Sequence, residues 1–181
     1  YEAAGPADPP GLMTTNSLIV VTAEGVVVAD GQGNVPAAER MIAEIRKLTP
    51  QPIKYVVVCS DHGDHTGGNA AFKAAFPEAV FMSSPVSQKA LEKSAVVPSE
   101  TVGDKRTVKL GGKEIDILNI GRAHTGGDLV VHVPAAKVLF LSEIYFHRLF
   151  PAMRAGYPSE WEAAIRKAQG LNATWNIPGH G

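Results

Sequence analysis

The chain of 181 residues contains a single cysteine, Cys59, so no internal disulfide can form. Its place after an apolar run reads as a small buried thiol rather than a metal ligand. Stability must come from burial, and 45% hydrophobic residues over this length suffice for one core. Neither sign of charge dominates: 17 Lys and Arg against 18 Asp and Glu leave −1. That balance offers no electrostatic footprint for a nucleic acid or an anionic membrane. No apolar run approaches the roughly 20 residues of a membrane span. There is no internal repeat, no low-complexity run and no nucleotide-binding glycine fingerprint. No signal peptide is visible. The first residue is Tyr1, and Gly181 directly follows His180. Both ends read as cuts, the C-terminal one above all, which leaves the compartment of a soluble protein open between periplasm, exterior and cytoplasm. Oligomeric state is not legible either.

Against these absences stands one dense stretch, Cys59-Ser60-Asp61-His62-Gly63-Asp64-His65-Thr66-Gly67-Gly68-Asn69. The β-branched and aromatic run 53–58 before it reads as a buried strand, and residues 69–76 after it as a short helix. Two His and two Asp therefore sit at the C-terminal tip of a strand, where open α/β sheets place ligands. Imidazoles with carboxylates suit zinc and similar divalent ions, and flanking glycines let a loop turn tightly around one. The plainer alternative is a polar loop capping a helix through Asp64 or Thr66.

Residues 1–15, rich in proline, read as an irregular lead-in to a single domain over 16–181. Strands are expected at 17–22 and 26–29 around a Glu24-Gly25 turn. Asn34 caps a helix from 35 to 48 that buries Met41, Ile42, Ile45 and Leu48. A strand at 80–82, a helix at 85–93 and a hairpin of 107–110 with 114–118 follow. Strands at 129–133 and 138–141 lead into a long loop over 143–157. His132 falls on the outer face of its strand. Ser159 caps a helix to about 171, with Trp161, Ala164, Ile165 and Ala168 inward. A last strand covers 174–177. Hairpins mixed with helix–strand units do not fit a simple parallel sheet. They fit an α+β fold of two mixed sheets packed face to face, with helices on the outer faces.

Three further junctions carry ligand-type residues: His124 in Gly121-Arg122-Ala123-His124-Thr125-Gly126-Gly127-Asp128, Glu143 after the strand at 138–141, and His180 in Pro178-Gly179-His180-Gly181. Strand C-termini gather at one sheet edge, which points to one shared site. With His62, Asp64 and His65, and with Asp30-Gly31 as a turn, this order of motifs resembles the metallo-β-lactamase superfamily from residue 16 to 181. The resemblance implies a four-layer αββα sandwich with one or two metals at one edge. It places Ser60, His62 and His124 at a first metal, Asp64, His65 and His180 at a second, and Glu143 between them. Two departures stand out. Ser60 replaces the family's first His and is a far poorer zinc ligand, and Glu143 replaces its bridging Asp. One zinc, or another divalent ion, is therefore expected rather than two.

Zinc lowers the pKa of a bound water to about 7, so the implied activity is hydrolysis of a small molecule at an ester, thioester, lactone, β-lactam or related bond. Asp64 is the candidate catalytic residue, orienting water or passing a proton. No elbow motif surrounds Ser60 to make it a nucleophile. Tyr145, His147 and Arg148, with Phe146 and Phe150, are candidates to face substrate, the alternative being a loop whose aromatics cover the core. Phe146 stands where some zinc lactamases carry a substrate-binding Lys. The competing function is a degenerate member that binds a ligand or partner with one metal or none.

Overall fold

The computed structural model describes residues 2–4 and 14–181. In chain order the strands are β1 (Glu2–Ala4), β2 (Thr14–Asn16), β3 (Leu18–Val21), β4 (Val26–Ala29), β5 (Ile53–Val57), β6 (Val80–Ser83), β7 (Glu100–Thr101), β8 (Lys105–Leu110), β9 (Lys113–Leu118), β10 (Val130–Val133), β11 (Val138–Phe146) and β12 (Trp175–His180). The helices are α1 (Val35–Leu48), α2 (Gly63–Thr66), α3 (Asn69–Ala75), α4 (Pro85–Ala90) and α5 (Pro158–Gln169). Two mixed sheets form, in the orders β3-β4-β5-β6-β7 and β1-β2-β12-β11-β10-β9-β8.

The side-chain period of two sorts each strand's residues between two cores. In β4, Val27 and Ala29 face the other sheet, meeting Ile117, Val131 and Phe140. Val26 and Val28 face outward onto Met41, Ile42 and Ile45 of α1 and Phe72 of α3. In the larger sheet Val130, Leu139 and Leu141 turn outward onto Trp161, Ala164 and Ala168 of α5. The result is the expected αββα sandwich. Asn34 caps α1 as its sequence predicts, accepting from the Ala37 amide at 2.9 Å. His132 lies on the outward side of β10, opposite Asp116 of β9, although almost fully buried.

Several boundaries differ from expectation. Glu2–Ala4 and Thr14–Asn16 pair antiparallel within the stretch read as irregular; Tyr1 and residues 5–13 lie outside the described residues. Leu48, the last residue of α1, is 72% exposed, and Ile165 is 43% exposed along a cleft between α5 and β11. Pro158, not Ser159, opens α5, and Tyr157 precedes it without a side-chain cap. The long loop over 143–157 is shorter than expected. β11 continues to Phe146 through Ser142, which takes φ 46°, and its register against β12 shifts there. Glu143 thus sits inside a strand. Among the described residues no helix is long and apolar enough to cross a membrane.

Candidate metal centre

The dense His/Asp stretch leaves β5 and packs on the turn after β4. The Gly31 amide donates to the His65 carbonyl and the Gly68 amide to the Gln32 carbonyl, both at 2.8 Å. Two glycines make this approach possible. A Cβ at Gly67 would stand 2.1 Å from the Gly33 carbonyl oxygen, and one at Gly68 2.1 Å from that of Gly31. So anchored, α2 directs His65 inward, fully buried, while His62 precedes it in extended conformation. His124 is positioned by the turn that follows it. Asp128 accepts from the Thr125 amide at 2.7 Å and from its hydroxyl at 2.6 Å. Glu143 comes from β11 just past the Ser142 irregularity, and His180 from the end of β12 beside β2.

All six residues expected as ligands converge, in two groups that share Glu143. Asp64, His65, Glu143 and His180 form one, and His62, His124 and Glu143 the other, with the ligand atoms of each within 4.8 Å of one another. In the first group His65 Nε2 is 3.0 Å from His180 Nε2 and 3.6 Å from Asp64 Oδ2, and His180 Nε2 is 3.2 Å from that oxygen. Glu143 Oε1 lies 3.7 Å from His65 Nε2, 3.6 Å from His180 Nε2 and 3.2 Å from His124 Nε2. His62 Nδ1 approaches the same carboxylate at 3.0 Å. Ser60 donates its hydroxyl to Glu143 Oε2 and belongs to neither group.

The charges are arranged to suit a cation. Burial opposes ionisation of Glu143, but hydrogen bonds from His124, His180, His62 and His65 outweigh it and hold the carboxyl well below its usual range. Burial likewise disfavours charge on Asp64, yet His180 and His65 lower its pKa. Burial alone would also depress the His180 pKa, but Asp64 and Glu143 raise it to about 9. His65 follows the same pattern, with Asp30 prevailing over burial. Glu143 raises His62 mainly through their hydrogen bond. Asp61 joins neither group, and burial raises its pKa. Two imidazole nitrogens facing each other at 3.0 Å hold at most one proton between them. With that proton gone, two lone pairs and two carboxylates meet at one buried point, a donor set of the zinc type.

Asp30 and Ser142 were missed as residues of the site by sequence reasoning. Asp30, buried and at φ 64°, accepts from Ser142 Oγ at 2.6 Å and the Cys59 amide at 2.9 Å, and meets His65 Nδ1 at 2.8 Å. It fixes the tautomer that leaves His65 Nε2 as an acceptor. The Asp30-Gly31 turn was visible, but its contact with a His 35 residues away was not. Phe146 stacks on His180 at 5.2 Å between centroids and lies 5.1 Å from His124. It is the aromatic of 145–150 that borders the ligand groups. Tyr145 instead lines a cleft of about 460 Å³ beside α5, whose lining contains no residue of either group. His147 and Arg148 are exposed; His147 Nδ1 is 3.2 Å from the Tyr145 hydroxyl.

Comparison with known proteins agrees with this geometry. The sequence profile of the metallo-beta-lactamase superfamily matches residues 10–180. A metallo-beta-lactamase type 2 from Bacillus sp. (strain 170) is 24% identical over 177 residues, 92% of this chain and 66% of that relative. The chain thus spans a little under two thirds of that relative's own length. A metallo-beta-lactamase from Pontibacter korlensis superposes with TM-score 0.87 at 24% identity, covering 100% of this chain and 85% of the other. The mono-zinc form of the metallo-beta-lactamase FIM-1 from Pseudomonas aeruginosa gives 0.80 at 21% identity, over 93% and 77%.

Proposed function

Because the chain belongs to the metallo-beta-lactamase superfamily, we propose that it is a zinc-dependent hydrolase of a small molecule. The observation that carries this reading is the buried group Asp64, His65, Glu143 and His180, whose ligand atoms lie within 4.8 Å of one another. These four would hold the ion. Zinc bound there would supply a Lewis acid and a water acidic enough to ionise near neutral pH.

The protein's own groups do the rest. Asp30 fixes the His65 ring through Nδ1. Asp64, with a third of its side chain in solvent, is placed to orient water or to pass a proton to a leaving group. Phe146 offers an apolar wall beside His124 and His180, which excludes water from one side of the reaction. His147 and Arg148, exposed beyond it, are the candidate polar contacts to substrate. The reactions that suit such a site are hydrolyses of an ester, thioester, lactone or β-lactam, the last being what the relatives' names state of those proteins.

The test combines metal analysis of the purified protein with a panel of these substrates before and after chelation. Turnover of at least one, lost on EDTA dialysis and restored by zinc, is expected. His65→Ala should lose metal and activity together. Turnover that survives complete metal removal would refute the reading. Metal binding with no turnover across the panel would favour a ligand-binding member instead.

A further inference from the structure

Ser60 and Glu143 are 83 residues apart, yet the Ser60 hydroxyl donates directly to Glu143 Oε2. Both residues are buried, at 0% and 2% exposure. Ser60 Oγ also meets the His62 amide at 3.3 Å. The hydroxyl is thereby committed to both a donor and an acceptor role inside the cluster. It is neutral and a poor zinc ligand, and its proton engages one of the two carboxylate oxygens. The remaining oxygen, Oε1, faces the imidazoles of both groups, 3.2 Å from His124 Nε2, 3.6 Å from His180 Nε2 and 3.7 Å from His65 Nε2.

The two groups are therefore unequal. The one around His65 has two imidazoles and two carboxylates, whereas the one around His62 has two imidazoles and only the shared Glu143. Charge points the same way. The carboxylates of the two groups, Asp64 and Glu143, balance one dication. Even with the buried Asp30 carboxylate beside His65 counted, a second would leave a positive charge uncompensated among His65, His124, Glu143 and His180, which are 0–2% exposed. Uncompensated buried charge is strongly destabilising.

We infer that the Ser60–Glu143 pair limits the centre to a single divalent ion, with Ser60 a positioning residue that fixes Glu143 Oε2 and leaves Oε1 facing the imidazoles. The Glu143 carboxylate, held by Ser60, then occupies the space between His62 and His124 as their hydrogen-bond partner. This inference rests on the reading of the site as a metal centre. Glu143 and Ser60 form one unit. An Asp at 143, one methylene shorter, would reach about 1.5 Å less far and lose the hydroxyl, and an imidazole at 60 would supply the nitrogen that the second group lacks.

The test is stoichiometry. Metal-free protein is titrated with Zn²⁺ by calorimetry and with Co²⁺ by absorbance, for the unmodified chain, Ser60→Ala and the double variant Ser60→His/Glu143→Asp. One tight equivalent is expected in the unmodified chain and two in the double variant. In Ser60→Ala the single equivalent remains, bound about 10-fold or more weakly, as loss of a group that orients a ligand predicts. Ser60→Thr, which keeps the hydroxyl, should restore the affinity. Two tight equivalents in the unmodified chain would overturn the inference while leaving the hydrolase reading intact. No tight equivalent would overturn both. Should the double variant not fold, unchanged affinity in Ser60→Ala would overturn the positioning role by itself.

Discussion

Replacing Asp30 by Asn changes one atom and removes one charge, in a site where every proton has a place. Asp30 Oδ2 faces His65 Nδ1 and accepts from Ser142 Oγ, while Oδ1 accepts from the Cys59 amide. Asn tolerates the left-handed backbone at φ 64° nearly as well as Asp, so the backbone is not the perturbation. The amide has only two ways to sit. With its nitrogen at the Oδ1 position it opposes the Cys59 N–H, two donors face to face in a dry site, which costs about 1–3 kcal/mol. With its nitrogen at the Oδ2 position it forces His65 to accept at Nδ1. The ring proton then moves to Nε2, and the lone pair that faces His180 is gone. The second arrangement removes a zinc ligand, and a mixture of both should lower zinc affinity by about 10–100-fold. Competition against a calibrated chelator measures this, and urea unfolding of the zinc-free protein measures the stability cost. Asp30→Ala should lose more stability than Asp30→Asn, because three groups lose their acceptor and alanine must hold a positive φ. Asp30→Asn with the affinity and stability of the unmodified chain would show that Asp30 does not set the His65 tautomer.

Two further outcomes follow from the same structure. His62 and the facing pair of His65 and His180, which shares one proton, have raised pKa values in the zinc-free protein, His180 to about 9. Their stabilisation is complete below the unfolded imidazole value of about 6.5 and is lost as pH rises toward 9, so the urea midpoint of the zinc-free protein should fall across that window. Zinc must displace the same protons, so its apparent affinity should rise over the same range, by up to about tenfold per pH unit for each proton released; a flat profile of both quantities would contradict the assignment. Gly67→Ala places a methyl group 2.1 Å from the Gly33 carbonyl oxygen and 2.9 Å from that of Gly63, all backbone, and should cost about 1–3 kcal/mol or more. Gly63→Ala, with nothing within 4 Å of the added Cβ, should leave stability equal or slightly higher, and equal urea midpoints for the two variants would refute the close-packing argument.

What could be read from sequence was what is decided locally. Asn34 capping α1, the Gly111-Gly112 turn between β8 and β9, and the β-branched runs of β4 and β5 each carry their signal within a few residues, and the structure matches them. The strand continuing past Leu141 has no such signal. Ser142 at φ 46° looks like an end, and it is tied in by Asp30, 112 residues away. Leu48 and Ile165 fit the helical period but stay exposed, Leu48 at the C-terminal end of α1 and Ile165 along the cleft between α5 and β11, a matter of relative placement rather than pattern. The ligand types were legible because metal chemistry restricts residue identity, and so were their strand-end positions, except that of Glu143, which sits inside β11. Which aromatic of 145–150 meets the cluster was not, since that depends on how β11 twists through the irregularity and sends Phe146, rather than Tyr145, onto His180.

Ser60 and Glu143 illustrate the same limit at the site itself. In sequence they are two departures from a familiar pattern, each seeming to weaken it. In the fold they are donor and acceptor of one hydrogen bond. A hydroxyl buried at position 60 beside an Asp too short to meet it would be left without that acceptor, and a Glu beside an imidazole at 60 would bring a longer side chain into a space already holding four rings. Either substitution alone leaves a buried polar group poorly partnered, which costs more than the bond itself contributes. The pair is consistent with neither residue being an isolated loss. Changing both together exchanges one satisfied arrangement for another, so the two positions should be strongly non-additive in any double-mutant cycle read on zinc affinity.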